Sequence, residues 1–220
     1  VYKRQASSLA CALLVGVFLE TNSKQSRAAD NNGEGILFRE VQKQFDTLRS
    51  TMYQHQTKVD RNEGSFRYDC VGLVSYALKQ AAPTAKESAF QFLGIKPGYI
   101  PTPGKYVTFF LSLGEKAQPG WEPVNKVSDL RAGDIVAWEQ KTETSNGHAV
   151  ILAGTPYQGP AGDWIVQIYD STASPHLEDS RIWDTRAEPV AGSTKRSGLG
   201  HGIMAFTADS STGVLTGYRW

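Results

Sequence analysis

The apolar residues of this chain change period once, and that change limits the folds open to it. Before about residue 114 they recur at three- and four-residue steps, the spacing of one helix face. Leu37, Val41, Phe45, Leu48 and Met52 form one stripe, with Arg39, Glu40, Gln42, Lys43 and Asp46 off it, predicting an amphipathic helix over 35–52. Leu73, Val74, Ala77, Leu78 and Ala81 form a second, closed by Pro83, predicting a buried helix over 71–82. Shorter helices are expected over 85–93 and 106–113, with 94–105 a Pro- and Gly-rich loop and 53–68 a polar one. From Asp134 the pattern turns to short β-rich runs at 134–138, 148–153, 164–170, 202–208 and 214–218, separated by turn residues. Helices first and strands second indicate an α+β domain, helices packed on an antiparallel meander.

The first residues read differently. Lys3 and Arg4 precede an apolar block from Leu9 to Leu19, and Ser26-Arg27-Ala28 supplies a small-x-small pattern, the layout of a secretory signal peptide over 1–28. Residues 29–220 then form one domain, exported to the periplasm or outside the cell. The apolar block is too short for a permanent span, so no stable membrane insertion is expected after cleavage. Losing Lys3, Arg4, Lys24, Arg27 and Glu20 takes 23 basic and 22 acidic residues to 19 and 21, a formal net charge of −2. Such a balance gives no electrostatic case for binding nucleic acid. Cleavage also removes Cys11 and leaves Cys70 as a lone thiol in an oxidising compartment, where it is buried or used.

Cys70 stands at the joint between the polar segment Phe66-Arg67-Tyr68-Asp69 and the helical pattern, so it falls in the first turn of its helix. Unpaired N–H groups and the positive end of the helix dipole favour a thiolate there. A small core residue is the competing reading, and the two weigh equally on this stretch alone. The strands supply partners. His148 opens one β-rich run and Asp170 closes another; if the two pair antiparallel with paired numbers summing to 318, Leu152 faces Val166, Val150 faces Ile168 and His148 faces Asp170. Thiolate, imidazole and carboxylate are the parts of a cysteine hydrolase. In that scheme the carboxylate only orients the imidazole, so Asp170→Asn is expected to leave the fold intact.

Three blocks in order, Asp69-Cys70-Val71-Gly72-Leu73-Val74, Leu130-Arg131-Ala132-Gly133-Asp134-Ile135-Val136 and Gly147-His148-Ala149-Val150, resemble the NlpC-type papain-like cysteine peptidases of bacterial cell walls. The resemblance covers roughly residues 53–171. It implies a papain-like fold, a nucleophile at Cys70, a base at His148, an orienting group at Asp170 and hydrolysis of an amide bond in peptidoglycan stem peptides, with no cofactor and no metal. It also places Tyr53 on the oxyanion side. The chain departs from the pattern at Val71, where serine is usual, and at Asp170, where histidine is commoner; a cleft-lining Val71 would then bear on which substrate is taken. The segment with His176, Asp179, Arg181, Asp184, Arg186 and the glycine-rich turn 198–202 lies beyond the shared blocks.

Two other function classes stay open. A metal-dependent hydrolase or metal-binding protein would use His148, Asp170, His176 and Asp179, although no familiar zinc spacing is present. A non-catalytic binding module on the same scaffold would keep the residues without the chemistry. Trp121, Trp138, Trp164, Trp183 and Trp220 suit either a sugar-stacking surface or a core.

Overall fold

In a computed structural model, residues 14–17, 35–140 and 146–219 are described. Most of the expected leader, with Cys11 and Ser26-Arg27-Ala28, lies outside them, as does Trp220. Within the stretch expected to be a leader, β1 (Leu14–Val17) is an antiparallel strand between β5 (Glu122–Val124) and β6 (Ile135–Trp138).

Among the described residues, four helices and a curled antiparallel sheet make a mixed α/β fold of the expected α+β kind. The helices are α1 (Ile36–Asp46), α2 (Cys70–Ala81), α3 (Pro83–Phe92) and α4 (Pro103–Leu113). The expected first helix runs six residues too far at its C-terminal end. At Thr47 the hydroxyl donates to the Lys43 carbonyl (2.7 Å), and the backbone N–H groups of Arg49 and Ser50 turn away to the Gly64 carbonyl. The chain continues as β2 (Ser50–Met52), parallel to β4 (Ser65–Arg67), which pairs in turn with β3 (Lys58–Asp60). The supposed loop 53–68 thus contains two strands. The 94–105 loop also ends early, because Pro103 starts α4 at the position where a missing N–H costs nothing, and Thr102 caps it through Lys105 N.

The main sheet runs β11 (Leu215–Arg219), β10 (Gly198–Ala208), β9 (Trp164–Thr172), β7 (His148–Leu152), β6, β1, β5, with β8 (Tyr157–Gln158) also on β9. Alternation assigns its two faces. Ile135, Ala137, Ala149 and Ile151 pack with Leu73, Val74, Ala77 and Phe109 under the helices. Val136, Trp138, Val150, Leu152, Val166, Ile168, Met204 and Phe206 form a second core inside the curl. Strands β6 and β7 are therefore buried on both faces and, apart from His148 at the start of β7, read as unbroken apolar runs. The glycine-rich stretch 198–202 is the start of β10 and not a turn. Of the tryptophans, Trp121 and Trp138 are core, Trp164 is half-buried against the second core, and Trp183 is 85 % exposed.

Candidate active site

Helix α2 starts at Cys70 because Asp69 caps it: the carboxylate Oδ1 accepts from Gly72 N (2.7 Å), satisfying one of the first-turn donors. Glycine at position 72 is required by close approach, since a Cβ there would lie 2.7 Å from Thr57 Oγ1 and 2.8 Å from Tyr68 Cβ. The helix is anchored at its far side by Ser75 Oγ on Tyr106 OH (3.0 Å) and at its entry by Ser171 Oγ, which donates to the Tyr68 carbonyl (2.6 Å). This last bond ties the strand carrying Asp170 to the turn carrying Cys70. Cys70 itself is 4 % exposed.

Strands β7 and β9 pair with a sum of 320, Ile151 opposite Tyr169 and Leu152 opposite Ile168, two residues away from the expected register. The slip is even, so every side chain keeps its face. His148 is no longer directly opposite Asp170, but reaches it diagonally, and its Nε2–H donates to Asp170 Oδ2 at 2.7 Å. An ionised carboxylate only accepts, which puts the proton on Nε2 and leaves Nδ1 for the Cys70 thiol, the ring's other hydrogen-bond partner. Burial opposes a charge on His148, yet the negative charge of Cys70 and the Asp170 carboxylate outweigh it and raise the imidazole to about 10. His148 is therefore held as an imidazolium at neutral pH, beside the sulfur of Cys70.

Asp170 is fully buried with three donors around it. Besides His148, its Oδ2 accepts from His176 Nε2 (2.7 Å), and its Oδ1 accepts from Arg181 Nη2 (2.8 Å). Burial alone would favour the neutral acid, but the Arg181 guanidinium and the two histidines hold the carboxyl well below its usual range. Arg181 is held in turn by Asp179, whose Oδ1 and Oδ2 accept from Nε (2.9 Å) and Nη2 (2.6 Å). Asp179 also accepts from His176 N (2.7 Å).

Tyr53 stands near this group. Its N–H donates to Ser197 Oγ (3.1 Å), its ring meets His55 edge-on, and its phenol is raised by burial and by the negative charges of Cys70, Asp69 and Asp170. Val71 is 5 % exposed and packs in the helix-side core. A hydroxyl there would be buried among apolar groups, so Val71→Ser is expected to lower stability by about 1–3 kcal/mol; thermal unfolding of both forms measures it, and an unchanged melting temperature would return Val71 to the cleft wall.

His148, Asp170 and His176 present three donor atoms within 4.8 Å of one another, the only such group among the described residues. Their arrangement suits hydrogen bonding. Both Nε2 atoms approach one oxygen at 2.7 Å, and the other oxygen carries a guanidinium, a fixed cation beside the place a metal would take. Asp179, the fourth residue of the metal reading, faces Arg181. His176 and Arg181 have no foothold in the shared sequence blocks. The signal for them was the pair His176 and Asp179-x-Arg181 soon after Asp170, ionisable residues in a stretch with few apolar anchors. Comparison of the chain with protein-family models, with curated proteins and with solved structures finds no match.

Proposed function

We propose that the chain is a cysteine hydrolase of papain-like architecture, cleaving an amide bond by a Cys70–His148–Asp170 mechanism. The observation that carries this reading is His148, hydrogen-bonded through Nε2 to a buried carboxylate and through its other nitrogen to a thiol at a helix N-terminus. The thiolate attacks the carbonyl carbon, forming a C–S bond. Nδ1–H of His148 gives its proton to the departing amine as the C–N bond breaks, leaving an acyl-enzyme. Water then attacks, one proton going to Nδ1, and breaking the C–S bond releases the carboxylic acid, which loses its remaining proton to solvent, and restores the thiolate. The Cys70 N–H, in the first helical turn, and the Tyr53 phenol, kept neutral by its surroundings, donate to the oxyanion.

The resemblance to the NlpC-type peptidases supports a peptide bond of peptidoglycan as the substrate and an exported location. Among the described residues no helix is long and apolar enough to cross a membrane. Mass spectrometry of peptidoglycan fragments after incubation with wild type and with Cys70→Ala tests the reading. Wild type should release new free amine and carboxyl ends, and Cys70→Ala should release them at least about 10³-fold more slowly. Identical fragment patterns, with Cys70 alkylated no faster than an ordinary cysteine, would favour a binding module instead.

A further inference from the structure

A carboxylate that orients a catalytic imidazole needs one bond, and Asp170 has three. In a site this buried, a lone carboxylate facing an imidazolium is prone to take its proton, since two neutral groups cost less to bury than two ions. Such a transfer would leave Nε2 bare and remove the reason for His148 to hold a proton toward Cys70. The sequence after β9 supplies groups that oppose it. His176 Nε2 shares Oδ2 with His148 at 2.7 Å, Arg181 Nη2 takes Oδ1 at 2.8 Å, and Arg181 Nη1 also reaches the carbonyls of Asp170 (3.3 Å) and Gly198 (2.7 Å). All three side chains, Asp170, His176 and Arg181, are fully buried. Their backing is equally built. Asp179 fixes Arg181 by two oxygens and His176 by its backbone N–H, and Gly200 of β10 leaves the guanidinium room, since a Cβ there would lie 2.8 Å from Arg181 Nε and 2.9 Å from Cζ.

We propose that His176 and Arg181 are positioning residues that clamp the Asp170 carboxylate, keeping it ionised and one of its oxygens on His148 Nε2 through each change of charge on the imidazole. The proposal rests on the cysteine-hydrolase reading of Cys70 and His148. Six ionisable groups face Asp170 and its partners: Cys70 from α2, His148 from β7, His176, Asp179 and Arg181 from the segment between β9 and β10, and His201 of β10, which feels the charges of Asp179 and Arg181, with the Tyr53 phenol nearby. The clamp joins a reaction centre to a stretch of irregular chain, and through Gly198 and Gly200 to β10.

The test is the rate of Cys70 alkylation by iodoacetamide between pH 5 and 9, which reads the thiolate without a substrate. His176→Gln keeps an N–H near the reach of Nε2, whereas His176→Asn is too short. The wild-type rate should persist at pH 6; His176→Asn should lose about tenfold there and little at pH 9, as for a one-unit change in the pair's proton affinity; His176→Gln and Arg181→Lys should stay within about threefold of wild type. Gly200→Ala, which crowds the guanidinium, should behave like His176→Asn. Near-ultraviolet circular dichroism confirms that each variant is folded. A folded His176→Asn with the wild-type profile overturns the clamp alone, whereas a wild type that reacts like an ordinary thiol overturns the hydrolase reading beneath it and the clamp with it. Should His176→Asn fail to fold, ¹⁵N NMR of the wild-type histidines decides: protons on Nε2 of both His148 and His176 support the clamp, and a bare Nε2 on His176 overturns it.

Discussion

Asp170→Asn should reduce turnover by about 10⁴-fold and also lower the melting temperature. The first effect follows from the tautomer. An amide presents one oxygen and one NH₂, and the carboxylate position is ringed by donors: His148 and His176 on Oδ2, Arg181 on Oδ1. If the NH₂ takes the Oδ2 place, His148 Nε2 must become the acceptor and its proton moves to Nδ1 in the ground state, where the neutral ring no longer supports a thiolate; the comparable substitution in serine hydrolases costs about 10⁴ in kcat. If it takes the Oδ1 place, a donor is set against a buried guanidinium. Either way a buried donor loses its acceptor, so the expectation from sequence that the fold would be indifferent to this change is corrected by the burial of Asp170. Asp179 still faces Arg181, which keeps the stability loss near the low end for a broken buried pair, about 3 kcal/mol, or roughly 6–12 °C for a domain of this size. Turnover on a stem peptide and thermal unfolding measure the two effects. Wild-type turnover in a folded Asp170→Asn would remove the carboxylate from the mechanism.

The parts of this site that a reader of the sequence can see are those tied to a period. Cys70 sits where a helical stripe begins, and the stripe and Pro83 together bound α2 to within a residue or two, while the Asp69 cap shows itself only in the structure. His148 and Asp170 sit on strands whose alternating Val150, Leu152, Val166 and Ile168 point to one core, which settles the face of each side chain. Alternation has a period of two, so it cannot distinguish a sum of 318 from 320, and the register differs by two residues while His148 still reaches Asp170. The stripe through Leu48 and Met52 misled for a related reason: Leu48 is buried as a helix would bury it, but by a chain already turning into β2. Three-residue strands such as β3 and β4 carry too few positions to show a period. His176 and Arg181 lie in irregular chain where nothing local selects a conformation, and their meaning comes from Asp170, which only the fold brings to them.

Arg181→Met should destabilise the fold strongly, by about 3–5 kcal/mol near pH 7. Methionine fills most of the space, so the loss is one of charge and hydrogen bonds. It leaves Asp170 Oδ1 and both oxygens of Asp179 without their guanidinium, and the Gly198 carbonyl without its donor. The pH dependence identifies the cause. Asp170 has its folded-state pKa depressed, so it contributes stability that is present above its unfolded value of about 3.9 and is lost as pH falls through the folded one. Arg181 is the largest of the groups that depress it, so removing Arg181 removes the largest single part of that contribution. The gap in unfolding free energy between wild type and Arg181→Met should therefore be widest at pH 6–8 and narrow as pH falls below about 4, where the variant's carboxyls are already protonated and cost little to bury. Denaturant unfolding at several pH values from 3 to 8 measures it. A gap of the same size at every pH would show that Arg181 supports the fold by shape alone, and would leave the ionisation of Asp170 to the two histidines.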